Sequence, residues 1–135
     1  MGFRFKWLND EKKVMVYEAS GDWNWRDFHA VARAASFSTY QSQHAIDILL
    51  DLRESTRTAL PSGLRVHLRT LGKKHTPAMT GRAIVIGFPV ADESQVALDD
   101  NRSFATSDGR AYLVNDESEL SELLERWHDN AAGNS

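Results

Sequence analysis

Ile46-Asp47-Ile48-Leu49-Leu50-Asp51-Leu52 is followed by Arg53-Glu54-Ser55-Thr56-Arg57-Thr58-Ala59-Leu60 and then Pro61-Ser62-Gly63-Leu64. The first seven residues are a nearly continuous apolar run, the habit of a strand buried on both faces in a parallel sheet. The next segment is rich in hydroxyls and arginines. In an open α/β sheet such a loop lies at the carboxyl end of its strand, where ligands and partners bind. This stretch sets both the fold class and the first place to look for function.

Working outward, the flanking segments supply strands and helices in alternation. Phe3, Phe5 and Trp7 share one face of a strand, with Arg4 and Lys6 on the other. Asn9 to Lys12 makes a polar turn into a second strand, Val14 to Ala19, and the pair reads as a β-hairpin. Asn24 suits a helix N-cap, with Asp27 placed to reach back to it. Trp23 and Phe28 then occupy the positions of a hydrophobic staple. Trp25, Phe28, Val31, Ala32 and Ala35 repeat at helical spacing, and the helix fades between Phe37 and Tyr40.

Beyond the central strand, Pro61 suits the first turn of a helix carrying Leu64, Leu68 and Leu71, closed by Gly72 and two lysines. Ala83-Ile84-Val85-Ile86 is a second buried parallel strand. Residues 88–108 follow neither period. A short helix over Glu93 to Phe104 is preferred there, with a hairpin through Asp108-Gly109 as its competitor. Ala111 to Val114 is the last strand. Asp116 and Glu119 form a capping-box pattern ahead of Leu120, Leu123, Leu124 and Trp127. The expected order is β-β-α-β-α-β-(α)-β-α, a mixed sheet with an N-terminal hairpin and then β-α-β-α-β units.

Three landmarks resemble the STAS family, the sulfate-transporter and anti-sigma-factor-antagonist domains, and its stand-alone bacterial members of unassigned function. Gly21-Asp22-Trp23-Asn24-Trp25-Arg26-Asp27 is similar to the Gly-x-Trp-polar start of the family's first helix. Leu49-Leu50-Asp51-Leu52-Arg53 is similar to its central strand, and Val114-Asn115-Asp116 to the end of its last strand. The resemblance implies one STAS-like α/β domain over residues 1–129, with 130–135 as a polar tail. Anti-sigma-factor antagonists carry Asp-Ser-Ser-Gly-Leu after the central strand, the first serine being phosphorylated by a partner kinase. Here the stretch is Leu60-Pro61-Ser62-Gly63-Leu64, so Pro61 stands at the phosphorylated position and regulation there is not expected.

Composition narrows the function classes. The chain has 135 residues, 41% of them hydrophobic and 10% aromatic, enough for one folded core. It has no cysteine, so neither a disulfide nor a thiolate metal site is available. The first residues alternate apolar with basic and lack the continuous apolar stretch of a secretory signal. A cytoplasmic location without membrane insertion is therefore expected. The net charge of −3, with signs mixed, argues against a general nucleic-acid binder.

The candidate surface is Arg53, Ser55, Thr56, Arg57, Ser62 and Gly63, next to a helix start. The competing reading is a solvated loop whose Ser62 hydroxyl caps the helix. Asp51 and Glu54 are the carboxylates nearest to acid–base chemistry, but only a pocket that shifts their pKa values would make them catalytic. The five histidines fall at no metal spacing, and His29, His67 and His128 read as helix-surface residues. Trp23 and Trp25 read first as core aromatics, since the staple already accounts for Trp23. They are possible pocket aromatics on the competing reading, because adjacent turns of chain cannot easily turn both inward and one would be partly exposed. The expectation is a binding and regulatory domain without a catalytic residue, metal or cofactor. Its partner would be a protein, a second copy of the chain included, or a small anionic ligand. The alternative is a carrier or sensor of an apolar small molecule held between sheet and helices.

Overall fold

The structure, a computed structural model, describes residues 2–56 and 59–133, with side chains through residue 128. It is an α/β fold built on a six-stranded mixed sheet. The strands are β1 (Gly2–Trp7), β2 (Val14–Gly21), β3 (Ile46–Ser55), β4 (Met79–Ile86), β5 (Ser103–Ala105) and β6 (Arg110–Val114). Their spatial order is β1-β2-β3-β4-β6-β5. The central four are parallel, and β1 and β5 close the two edges antiparallel.

Among the described residues three α-helices cover the sheet. On one face lie α1 (Trp25–Thr39) and the short α2 (Leu64–Leu68), packed on Met15, Tyr17, Ile48, Leu50, Val85 and Leu113. On the other lies α3 (Glu117–Gly133), whose Leu120, Leu123 and Leu124 meet Val14, Val16, Leu49, Ile84, Ile86 and Val114. Strand alternation produces the division. In β3, Ile46, Ile48, Leu50 and Leu52 face α1, while Asp47, Leu49 and Asp51 face the α3 side. Ile46 to Leu50 is buried throughout because helices cover both faces.

The N-terminal hairpin forms as expected, with Phe3 opposite Ala19 and Phe5 opposite Tyr17. The capping box of α1 also forms. Asp27 N–H donates to Asn24 Oδ1 at 3.0 Å, and Asn24 N–H donates to Asp27 Oδ2 at 3.1 Å. Trp23 and Phe28 lie in one aromatic cluster, joined through Phe3 and Trp25 by edge-to-face contacts. At the other end of the chain, α3 continues to Gly133, into the stretch expected as a polar tail.

Two expectations are corrected. Residues 93–104 do not form one helix. A 3-10 helix covers Val90–Gln95, and Ser103–Ala105 is an edge strand joined to β6 by the hairpin through Asp108-Gly109. Gly109 is needed at that hairpin, since a Cβ there would come within 2.2 Å of the Gly81 carbonyl oxygen. The helix after the central strand is also shorter than its leucine repeat suggested. It begins at Leu64, not at Pro61, because Gly63 takes a left-handed φ of 85° at its N-cap. Leu71 is buried with Leu64 and Leu68 although it lies in the following turn.

Candidate functional site

The carboxyl end of β3 is built around a register slip. Glu18 pairs with Asp51, but Ser20 pairs with Glu54, so β3 carries one extra residue between those points. Bulges of this kind bend a strand and re-aim its side chains. Arg53 emerges at the bend. Its Nε and backbone N–H both donate to Asp51 Oδ1 at 3.0 Å, and its Nη2 donates to Asp51 Oδ2 at 2.8 Å. Its Nη1 donates to Glu117 Oε1 at 2.7 Å, tying β3 to the first turn of α3. The Arg53 fork is thus occupied by two carboxylates.

The consequence for Asp51 is electrostatic. Its burial pushes the carboxyl pKa up, but the Arg53 side-chain and backbone hydrogen bonds, with the guanidinium charge, outweigh that and hold it below the usual range. A general acid at neutral pH needs the opposite shift. Glu54 is exposed.

Beyond the bulge the segment is anchored by two indoles. Trp23 Nε1–H donates to Ser55 Oγ at 2.9 Å. Trp25 Nε1–H is shared between the carbonyls of Pro61, at 3.1 Å, and Ser62, at 3.0 Å. Between these anchors, Thr56 N–H reaches Gly21 O at 3.0 Å, and Leu60 N–H donates to the buried Asp92 carboxylate at 2.7 Å. Thr56, Ser62 and Gly63 are exposed. Among the described residues the Ser62 hydroxyl makes no hydrogen bond, so it does not cap α2, and Gly63 serves as an N-cap without a side-chain bond. Arg57 and Thr58 lie outside the described residues.

Trp23 and Trp25 are both buried, at 2% and 6% exposure, as the core reading expects, and neither is the partly exposed ring of the competing reading. They fit together because their rings meet edge to face at 5.2 Å, an arrangement the aromatic quadrupoles favour. Each indole N–H also finds an acceptor in the loop. The space between sheet and α1 is filled by these rings and Phe28. An open groove of about 460 Å³ lies elsewhere, lined by Leu68, Val96, Phe104, Arg65, Arg69 and Arg110.

The histidines also depart from expectation. His29 Nε2 and His67 Nδ1 are 2.8 Å apart in a hydrogen bond, both rings are half-buried, and His67 stacks on Trp25 at 5.0 Å. His128 sits 3.5 Å from the buried Asp47 carboxylate on the far side of the sheet. Asp47 accepts from Thr80 at 2.5 Å and from Arg82 at 2.9 and 3.1 Å, and the Arg82 guanidinium lies over Trp127 at 4.4 Å. The spacing of Asp47, Leu49 and Asp51 was a signal for this, since it places both aspartates on one face of β3. No sequence signal tied His29 to His67, 38 residues away.

Among the described residues no group of three or more His, Cys, Asp or Glu is arranged to hold a metal ion. No helix among them is long and apolar enough to cross a membrane. Compared with family models, curated proteins and solved structures, the chain matches none.

Proposed function

We propose that this chain is a binding and regulatory domain of STAS-like type, without catalysis of its own, that engages a protein partner through the segment Arg53 to Gly63. The observation that carries this reading is the pair of indole anchors. They fix the segment at Ser55 and at Pro61–Ser62, while Thr56 and Ser62 stay exposed. Recognition loops are commonly exposed chain held on a rigid scaffold. Asp51, at the end of β3, is paired with Arg53, which favours binding over acid–base chemistry at that carboxylate. Pro61, at the position of the family's phosphoserine, favours a partner that does not depend on phosphorylation there.

The test is native purification with mass spectrometry, followed by the same experiment on T56E/S62E. Both positions are exposed, so the variant should fold, and a co-purifying partner should be lost. A partner retained by the variant, with amide shifts confined to the opposite edge of the sheet, would overturn this reading.

A second reading, an apolar small-molecule ligand, has one supporting observation. The 460 Å³ groove between α2, the 3-10 helix and β5 combines Leu68, Val96 and Phe104 with three arginines at its margin.

A further inference from the structure

A second cleft, of about 390 Å³, opens between α1 and the chain that follows α2. Its lining is Ala32 together with His29, Arg33, Thr70, Lys73 and His75, and includes no carboxylate. We propose that this cleft binds a small phosphorylated molecule through its phosphate dianion, with Arg33 and Lys73 supplying charge and His29 and His75 supplying hydrogen bonds, the Thr70 hydroxyl being already donated to His67 O at 2.7 Å.

The placement follows from the fold. His29 and Arg33 are four residues apart on α1 and therefore share one face of it. Thr70 and Lys73 belong to the turn after α2, and His75 to the bend before β4. The turn is braced, since Lys73 N–H bonds Thr70 O at 3.0 Å and Thr76 meets Thr39 of α1 through their hydroxyls at 3.2 Å. Four groups, His29, Arg33, Lys73 and His75, thus converge from three segments on one concavity of ligand size.

No acid lines this cleft, and Asp108, outside the lining, acts on His75. Among the described residues neither Arg33 nor Lys73 makes an ion pair. A guanidinium fork beside an ammonium is a chemistry suited to phosphate. In a chain whose net charge is −3, a local excess of cations concentrates anions at one place.

The histidines register the same imbalance. His29 is held below its ordinary pKa by burial first, then by the neighbouring His67, Arg33, Lys73 and His75. His75 is lowered by burial, then by Lys73 and Arg33, against an opposing pull from Asp108. A bound dianion would offset that repulsion and favour the protonated rings. In the His29–His67 pair, Nε2 of His29 is already engaged. Its Nδ1 is left to donate to the anion, either when His67 donates the shared proton or after His29 is protonated.

The experiment titrates sulfate, inorganic phosphate and pyrophosphate into ¹⁵N-labelled full chain, reading amide and imidazole resonances. Sulfate keeps its charge across the histidine range and so isolates the protein's own titration. Saturating sulfate should raise the titration midpoints of His29 and His75, and affinity should weaken at least severalfold from about pH 6 to about pH 8. Pyrophosphate should bind more tightly than sulfate. R33A/K73A, at two exposed positions, should fold normally and lose at least about tenfold in affinity, or 1.4 kcal/mol. K73R should keep most of it. Shifts spread evenly over all basic surface residues would overturn the proposal, as would binding retained by R33A/K73A or independent of pH. An oligonucleotide or phosphopeptide that bound through the same residues more tightly than pyrophosphate would overturn the small-molecule assignment.

Discussion

The two faces of the sheet treat charge in opposite ways. On the α3 side, the buried carboxylates each have a cationic partner. Glu18 meets Arg4 and Lys6, Asp47 meets Arg82, and Asp51 meets Arg53. On the α1 side, aromatic packing carries the core, and Arg33, Lys73 and two histidines share a cleft that no acid lines. A charge whose partner is built into the fold is spent on structure, whereas a charge left open is available for a ligand. The contrast explains why the arginine that drew attention in the sequence, Arg53, is the less available one.

Removing one arginine from each side tests the contrast most strongly. Arg82→Ala should destabilise by about 2–3 kcal/mol, because it leaves Asp47 buried with only Thr80 and His128 beside it. That range lies below the roughly 3–5 kcal/mol of a fully buried pair, since the Arg82 side chain is itself 37% exposed and water reaches it. Arg33→Ala should stay within about 0.5 kcal/mol, as surface changes do. Denaturant midpoints of the two variants measure this directly. Equal losses would mean that the α1-side cations are structural after all.

Acidification should separate the faces by pH. His29 and His75 have folded pKa values below the ordinary one, so the unfolded chain binds protons first. Their contribution is complete above about pH 6.5 and is lost as the pH falls from there through the folded values. Glu18 and Asp51 are also lowered. For each, burial pushes upward, and hydrogen bonds and charge from Arg4 and Lys6, or from Arg53, outweigh it. Their stabilisation is complete above about pH 4 and is lost as the pH falls below that. Two stages of loss are therefore expected in a plot of denaturation midpoint against pH. H29Q/H75Q should remove the first stage and leave the second, and sulfate should weaken the first stage in the native chain. A single stage below about pH 4 would contradict the histidine assignment.

Much of the fold was legible because periodicity and capping agree in β3, α1 and α3. Each has a clear apolar pattern, and α1 and α3 also carry capping side chains, Asn24 and Asp116. Residues 88–108 were not legible, since a 3-10 helix and a three-residue strand are too short to show a period. The site was legible only in part. A loop after β3 could be read from the chain, but not that Arg53 would be tied to Glu117, 64 residues away. The indole anchors were hidden for the same reason, because Trp23 and Ser55 become neighbours only once α1 has crossed between β2 and β3.

A more modest loss than that of Arg82→Ala tests whether the α1 side depends on its cap as well as its rings. Asn24→Ala removes the oxygen that accepts from Asp27 N–H and leaves Asp27 Oδ2 on the backbone N–H of residue 24. The loss should be about 1 kcal/mol, typical of an N-cap truncation. For a domain of this size that corresponds to roughly 3–5 °C in Tm. Asn24→Ser should recover most of it, because a serine hydroxyl can take the same bond. Tryptophan emission should not move, since Trp23 and Trp25 on either side are held by Ser55, Pro61, Ser62 and the ring cluster. An unchanged Tm would show that aromatic packing alone sets the start of α1. A Tm loss of the expected size with a red-shifted emission would show that the cap also holds the indoles, and through them the loop after β3.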